Sequence, residues 1–125
     1  MKKWTITFHD EFAPEFDELP VAVQDEIYAR ARVLETIGPE LGRPQVDTLT
    51  GSKHANMKEL RFDADNGVWR VAFAFDPERE AVLLVAGDKS GTSQKRFYKG
   101  LIKKADSRFD RHLETLKVQK TKKGK

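Results

Sequence analysis

Two short runs with strand-like alternation, joined by a polar turn, constrain the fold of this chain more than any other feature. The runs are Met57–Phe62 and Val68–Phe75, and the turn at Asp63–Gly67 contains an Asn-Gly pair typical of tight hairpins. Neighbouring strand side chains point to opposite faces, so the large apolar residues should share a core face. The opposite face then carries Glu59, Arg61, Arg70, Ala72 and Ala74. This predicts a basic outer face suited to phosphate, where the alanines leave space for a nucleotide or allow a helix to pack.

The remaining apolar patterns place this hairpin in an α+β fold. Alternation predicts a first strand, and apolar residues at helical spacing predict two helices before the hairpin and a long one after it. An apolar run before the last helix is typical of a central strand. The segments are, in chain order, Trp4–Phe8, a helix capped by Asp10, a helix from Pro20 to Gly38-Pro39, the hairpin, Ala81–Ala86 and Gln94–Lys117. The order β-α-α-β-β-β-α predicts a small, mainly antiparallel β-sheet with an N-terminal helical hairpin and a C-terminal helix.

Length and composition limit the classes of protein to which the chain can belong. With 125 residues, 38% of them hydrophobic, it is predicted to form one domain over residues 1–117, followed by a basic, disordered tail at 118–125. The sequence has no run of about 18 apolar residues, so no membrane span is predicted. Its first residues lack the apolar core of a signal peptide. The absence of cysteine excludes disulfides and a thiol nucleophile and agrees with a cytoplasmic location.

Charge is distributed unevenly along the chain. Residues 1–56 carry 6 basic and 10 acidic side chains, residues 57–88 carry 4 and 7, and residues 89–125 carry 13 and 3. The final segment is therefore positive enough to attract nucleic acid, whereas the front half is not. A solvated basic helix and tail is the alternative explanation of the same pattern.

Four short motifs, taken in order, resemble those of one toxin superfamily. They are Lys58-Glu59-Leu60-Arg61, Trp69-Arg70-Val71, Gly87-Asp88-Lys89 and Arg96-Phe97-Tyr98. In this series the chain resembles the RelE/ParE toxin superfamily, and the stretch from residue 41 to residue 102 resembles its phage-derived HigB-like branch. The resemblance implies the toxin of a type II toxin–antitoxin system, a ribosome-dependent mRNA endonuclease. Such an enzyme cleaves through attack of the substrate's own 2′-hydroxyl and needs neither a metal nor another cofactor.

The same resemblance implies the partners of the chain. A cognate helix-turn-helix antitoxin, HigA-like, would neutralise the toxin. The complex of the two, rather than the toxin alone, would bind operator DNA. The ribosome and its mRNA would be the target, and the basic final helix would suit docking to ribosomal RNA. No membrane partner is implied.

The resemblance also assigns roles to individual residues. Arg61 and Arg70 would bind the scissile phosphate, because a guanidinium stays charged and matches phosphate oxygens. Lys89 would contact the phosphate or the leaving oxygen, and Tyr98 would stack on a base or assist proton transfer. Glu59 completes the catalytic set. The RNA-binding set is Lys58, Lys95, Arg96 and Lys99.

The general base is left open between Glu59 and Lys58. Arginines beside Glu59 should lower its pKa and make it a weak base. Lys58 points to the opposite face of its strand. The three histidines, His9, His54 and His112, lack metal-ligand spacing, so no metal site is predicted. His112 lies about 21 Å along the last helix from the motif that opens it, too far to replace a catalytic residue there.

Two other functions are alternatives for the same residues. One is a gyrase-directed inhibitor of the ParE type without nuclease activity, although the convergence of basic side chains with a tyrosine argues against it. The other is a non-catalytic nucleic-acid-binding module. Its binding would be driven by residues 89–125. The structural alternatives for the single residues are that Arg61 and Arg70 are solvent-facing strand arginines or partners of Glu59 and Asp88 in surface ion pairs, and that Lys89 is a solvated loop lysine.

Overall fold

The computed structural model describes residues 3–123, which form a five-stranded sheet between two helical layers. The elements are β1 (Thr5–Phe8), α1 (Phe12–Asp17), α2 (Val21–Ile37), β2 (Val46–Thr48), β3 (Met57–Ala64), β4 (Gly67–Phe75), β5 (Glu80–Asp88) and α3 (Gln94–Lys123), with a 3-10 turn at Gly38–Glu40. The strand order is β1-β5-β4-β3-β2, and only β1 and β5 run parallel among these described strands. The predicted α+β fold is confirmed. Within residues 3–123, none of the helices combines the length and apolar character that crossing a bilayer requires.

Helices α1 and α2 cover one face of the sheet through a core rich in aromatic residues. Phe12, Val23, Ile27 and Leu34 of these helices are fully buried. They pack against the strand residues that the alternation placed on the core face: Leu60, Phe62, Trp69, Val71, Phe73 and Phe75. The predicted inward face of the hairpin is therefore correct.

Helix α3 covers the opposite face, but only in part. Leu101, Ala105 and Phe109 pack against the strand alanines Ala72 and Ala74. The small side chains of β4 thus allow a helix to approach, which is one of the two roles expected for them. The other role, space for a nucleotide, is not available there because the helix fills it.

The first turn of α3 is set by a close approach to the end of β5. A Cβ atom at Gly87 would lie 2.9 Å from Cε1 of Phe97, so the absence of a side chain at Gly87 lets this ring pack against the strand. Tyr98 follows on the neighbouring helical face, rotated by about 100°. The packing of Phe97 therefore aims Tyr98 toward β3.

The turn of the β3–β4 hairpin lies within the predicted range Asp63–Gly67. Asp65 and Asn66 both have positive φ, 50° and 60°, and Ala64 pairs with Gly67. This is the backbone of a type I′ turn, in which asparagine and aspartate are favoured.

At the other end of the chain, α3 continues through Lys123, where the sequence predicted a disordered tail from residue 118. The part of that tail at residues 124–125 lies outside the described residues.

Strand β5 contains a one-residue bulge at Leu84. Ala72 of β4 pairs with Val85, but the next residue, Phe73, pairs with Leu83. Leu84 is the extra residue, and its carbonyl accepts a hydrogen bond from Nη1 of Arg108 at 2.7 Å. An unpaired carbonyl in the core would be costly, so the buried arginine stabilises the bulge.

Candidate active site

A polar cleft of about 650 Å³ opens between β2–β3 and the beginning of α3. Strand β3 forms its floor, β2 and the two residues after it form one wall, and the loop after β5 with the first turns of α3 forms the other. It is lined by Asp47, Thr48, Leu49, Thr50, Glu59, Arg61, Lys89, Gln94, Lys95 and Tyr98. Five of the predicted site residues, Glu59, Arg61, Lys89, Lys95 and Tyr98, are therefore brought together from three separate segments of the chain.

Glu59, Tyr98 and Arg70 form a hydrogen-bonded network in the floor of the cleft. The hydroxyl of Tyr98 donates to Oε1 of Glu59 at 2.9 Å and accepts from Nε of Arg70 at 3.2 Å. Nε of Arg70 also lies 3.8 Å from the same carboxylate oxygen. Both charged residues are buried, with Glu59 only 6% and Arg70 only 5% exposed. The network thus holds the Glu59 carboxylate in a fixed orientation in the floor of the cleft.

Burial raises the pKa of the Glu59 carboxyl, although the hydrogen bond from Tyr98 and the charges of Arg70 and Arg61 act in the opposite direction. Burial also raises the pKa of the Tyr98 hydroxyl, and its hydrogen bond to Glu59 raises it further. The neighbouring arginines lower the pKa of Glu59 as expected, but the expected net decrease is wrong, because desolvation outweighs them. A carboxylate with a raised pKa is a stronger base, so the objection to Glu59 as the proton acceptor is removed.

Arg70 lies behind the cleft rather than in it. Its Nη1 donates to the carbonyl oxygen of Trp69 at 2.8 Å, and its Nε reaches the hydroxyl of Tyr98. It is absent from the residues that line the cleft. The structure thus differs from the expectation that Arg70 contacts phosphate from an open face, because α3 covers that face of β4. The contacts place Arg70 where it orients Tyr98 and Glu59.

Arg61 lies in the cleft opposite an acidic residue that the sequence did not single out. Nη1 of Arg61 is 3.6 Å from Oδ2 of Asp47, and both side chains are about one-third exposed, at 28% and 36%. Asp47 is the cross-strand partner of Glu59 in the β2–β3 pair. Strand β2 has only three residues, too few for a recognisable alternation, so no sequence signal marked Asp47 as a site residue.

The loop that carries Lys89 is held in place by Asp88. Oδ1 of Asp88 accepts hydrogen bonds from the backbone amides of Val68 at 3.0 Å and Ser90 at 2.9 Å. The amide of Lys89 itself donates to the carbonyl of Val68 at 2.8 Å. Nζ of Lys89 lies 6.0 Å from the centre of the Tyr98 ring. Lys89 is thus positioned at the cleft by an ordered turn.

The other predicted RNA-binding residues lie in different places. Lys95 lines the cleft, whereas Arg96 and Lys99 are exposed on α3 outside it. Lys58 precedes Glu59 on β3, so its side chain points to the α1–α2 face, as expected from the alternation. Lys58 is therefore poorly placed to act as the base in this cleft.

The wall of the cleft after β2 is tied to α3 by two carboxylates one helical turn apart. Asp106 accepts hydrogen bonds from the hydroxyl of Ser52 and from the amide of Lys53, the latter at 3.1 Å. Asp110 lies 2.8 Å from Nε2 of His54. The spacing of the two aspartates places them on one face of α3. These contacts join the segment that follows the β2 wall to α3, the helix that begins the opposite wall.

Comparison with known proteins assigns this chain to a family and its fold to a known type. The sequence profile of the family described as phage-derived protein Gp49-like (DUF891) matches residues 14–110. A solved structure of the E. coli toxin RelE, a two-arginine mutant in the free state, superposes with a TM-score of 0.57 at 10% identity, covering 80% of this chain and 94% of that one. The chain belongs to the Gp49-like family, and the predicted RelE-like fold is confirmed.

Two relatives in Mycobacterium tuberculosis are similar at higher identity. The candidate toxin HigB2 is 45% identical over 100 residues, which is 79% of this chain and 49% of HigB2. The candidate toxin HigB3 is 49% identical over 81 residues, which is 65% of this chain and 68% of HigB3. The chain thus spans about half the length of the first relative and about two thirds of the second. The resemblance to HigB-like toxins seen in the sequence is confirmed.

Proposed function

We propose that this chain is the toxin of a type II toxin–antitoxin system and acts as a ribosome-dependent mRNA endonuclease. The observation that carries the proposal is the cleft, in which Arg61, Lys89 and Lys95 converge on the Glu59–Tyr98 pair. Fixed cations around a buried carboxylate suit a reaction that moves a proton while negative charge grows on phosphorus. Family membership and the similarity to HigB2 and HigB3 support the role as a toxin.

In the proposed reaction, Glu59 accepts the proton of the substrate's 2′-hydroxyl. The 2′-oxygen then forms a bond to the adjacent phosphorus, and the bond from phosphorus to the 5′-oxygen breaks. Lys89 donates a proton to the leaving oxygen, so the products are a 2′,3′-cyclic phosphate and a 5′-hydroxyl. Burial raises the pKa of Glu59, which supports its role as the base. The nucleophile belongs to the substrate, so no metal-bound water is required.

The remaining residues divide between charge stabilisation and positioning. Arg61 would bind the phosphate and stabilise the pentacoordinate transition state from the wall of the cleft. Tyr98 and Arg70 would hold Glu59 in one orientation through the contacts in the floor. The ring of Tyr98 also lines the cleft and would stack on a base.

An exposed row of lysines offers a path for the rest of the RNA. Lys95, Lys99 and Lys103 are exposed and follow one another at intervals of four residues along α3, so they lie on one helical face. The row begins at the cleft and leads away from it. Such a row would bind phosphates without reading sequence, which suits contact with mRNA and ribosomal RNA.

The partners follow from the same proposal. A cognate HigA-like antitoxin with a helix-turn-helix domain would neutralise the chain, and operator DNA would be bound through the toxin–antitoxin complex. Ribosomes translating mRNA in the cytoplasm would be the site of action. An inhibitor of gyrase on the same fold is the other outcome that the following experiment can identify.

The test is induction of the chain in a bacterial host, with growth followed and mRNA 5′ ends mapped. New 5′ ends within translated codons, absent from naked RNA, are expected. Arg61→Ala should reduce cleavage by about two orders of magnitude, a typical loss for a residue that stabilises transition-state charge. Arg32→Ala is the matched control, because Arg32 is an exposed arginine on α2, on the other side of the sheet.

Each outcome has a separate meaning. Growth arrest with intact mRNA would contradict the nuclease and direct attention to gyrase. Equal cleavage by the unmodified chain and Arg61→Ala would contradict the assignment of the cleft. Cleavage of naked RNA at the same sites would contradict the dependence on the ribosome.

A further inference from the structure

Asp47 is a carboxylate inside a cleft that the proposed function requires to bind polyanions. Its Oδ2 is 3.6 Å from Nη1 of Arg61 and 4.0 Å from Nε of Arg43. Its Oδ1 accepts a hydrogen bond from the amide of Thr48 at 2.9 Å, which keeps the carboxylate in this orientation. The acid therefore lies next to the one arginine that lines the cleft among the described residues.

The Asp47–Arg61 contact is too weak and too exposed to be explained by stability. Both side chains are about one-third exposed, and ion pairs of this kind contribute little because water and salt screen them. The contact is also longer than a good charge-assisted hydrogen bond. A phosphate that offers two oxygens to the guanidinium would bind it better than Asp47 does.

Arg43 gives Asp47 an alternative partner. The side chain of Arg43 is 75% exposed, and its Nε lies 4.0 Å from Oδ2 of Asp47. When Arg61 leaves, the carboxylate thus keeps its contact with Arg43 in the orientation that the Thr48 amide holds. Exchange of partners at Asp47 is therefore inexpensive in free energy.

We propose that Asp47 is an internal competitor for Arg61, holding it in the empty cleft and giving it up when an RNA phosphate enters. This inference rests on the proposed function in taking the cleft as the RNA site. Its consequence is selectivity. A ligand with a single weakly held anionic group would not displace Asp47, whereas a phosphodiester backbone with further contacts to Lys89 and Lys95 would.

The experiment measures binding of a short, fully 2′-O-methylated oligoribonucleotide to the full chain by fluorescence anisotropy at low salt. This probe has no free 2′-hydroxyl and cannot be cleaved, so the result does not depend on nuclease activity. Asp47→Asn should lower the dissociation constant about two- to fivefold, the range expected when a competing exposed ion pair is removed. Asp25→Asn removes the same charge from an exposed position on α2 and should leave the constant unchanged.

Repeating the Asp47→Asn substitution in the Arg61→Ala variant distinguishes competition for Arg61 from general repulsion between Asp47 and RNA. In Arg61→Ala, the gain from Asp47→Asn should disappear, because nothing is left to compete for. An equal gain in both backgrounds would overturn the proposal in favour of simple repulsion between Asp47 and RNA. Weaker binding by Asp47→Asn would also overturn it, since Asp47 would then be holding Arg61 in its productive orientation. Asp47→Ser, tested for folding by thermal unfolding, guards against an effect of the asparagine itself.

Failure of this inference can be distinguished from failure of the proposed function. Tighter binding by Asp47→Asn without any cleavage of mRNA in cells would support competition and contradict the endonuclease. Cleavage in cells with binding unaffected by Asp47→Asn would support the endonuclease and overturn competition. Absence of binding by every variant would overturn competition for a free RNA phosphate, whereas the endonuclease would still be decided by the mapped mRNA 5′ ends.

Discussion

Two buried arginines lie on the same side of the sheet, and they are used in different ways. Arg108 in α3 is 6% exposed, and its two terminal nitrogens bind both carboxylate oxygens of Glu15, at 2.8 and 2.6 Å. Arg70 in β4 is 5% exposed, but it reaches Tyr98 at 3.2 Å and lies 3.8 Å from Glu59. The first is a complete bidentate pair, whereas the second is an indirect contact through a hydroxyl.

The difference appears in the two carboxylates. The hydrogen bonds from Arg108 lower the pKa of Glu15, while burial raises the pKa of Glu59 in spite of Arg70. A bidentate arginine strongly stabilises the ionised form of a carboxylate. An arginine that does not hydrogen-bond directly to a buried carboxylate stabilises its ionised form too little to offset the burial. Glu15 is thus suited to joining α1 to α3, and Glu59 is suited to accepting a proton.

The largest expected effect comes from neutralising each carboxylate in turn. Glu59→Gln should reduce mRNA cleavage about 10²- to 10⁴-fold, the usual contribution of a general base, with little loss of stability. Glu15→Gln should leave cleavage per folded molecule nearly unchanged. Mapping mRNA 5′ ends for the two variants at equal levels of folded protein checks this. Equal loss in both variants would remove the distinction between the two networks.

The next effect concerns stability. Arg108→Ala should lower the free energy of unfolding by about 2–4 kcal/mol, because it removes the donor to the Leu84 carbonyl and leaves buried groups unpaired. Urea denaturation measures this. Arg111→Ala is the matched control, since Arg111 pairs with Glu11 at the surface and should contribute about 0–1 kcal/mol. A loss for Arg108→Ala no larger than that of the control would contradict its role in the bulge.

The smallest effect is a pH dependence of opposite sign for the two acids. The pKa of Glu15 is lowered on folding, so its stabilisation is present above its ordinary pKa of 4.5 and is lost as pH falls through the folded value. The pKa of Glu59 is raised, so its contribution is present below the ordinary pKa and is lost as pH rises through the folded value. Relative to the unmodified chain, Glu15→Gln should therefore be least stable near neutral pH and Glu59→Gln most stable there. Urea unfolding across the acid range measures both, and parallel curves would contradict the opposite pKa shifts.

The fold and the inward face of the hairpin could be predicted from the sequence because both depend on local alternation. Phe73 and Phe75 are buried as the pattern requires. The turn lies within the predicted range, where Asp65 accepts positive φ almost as readily as Asn66 does. Signals of this kind are contained in neighbouring residues and do not depend on the rest of the chain.

The site was less predictable because it depends on where α3 packs. Burial of Arg70, and with it the raised pKa of Glu59, follows from the contact of α3 with Ala72 and Ala74. The sequence pattern was compatible both with this contact and with a solvent-exposed face of β4, and it did not distinguish between them. Asp47 was missed for a related reason, because its position is set by the register of a three-residue strand against β3.

The bulge in β5 determines on which side of the sheet Lys89, in the loop after β5, lies. Side chains alternate along a strand, so one extra residue exchanges inward and outward for every residue after it. With Leu84 inserted, Gly87 and Lys89 lie on the same face of the sheet as Arg70 and Glu59. Without it, Lys89 would point toward the helical hairpin, away from the cleft. Arg108 lies outside the cleft, but it stabilises the extra residue Leu84. It therefore maintains the side-chain alternation that places Lys89 on the cleft side of the sheet.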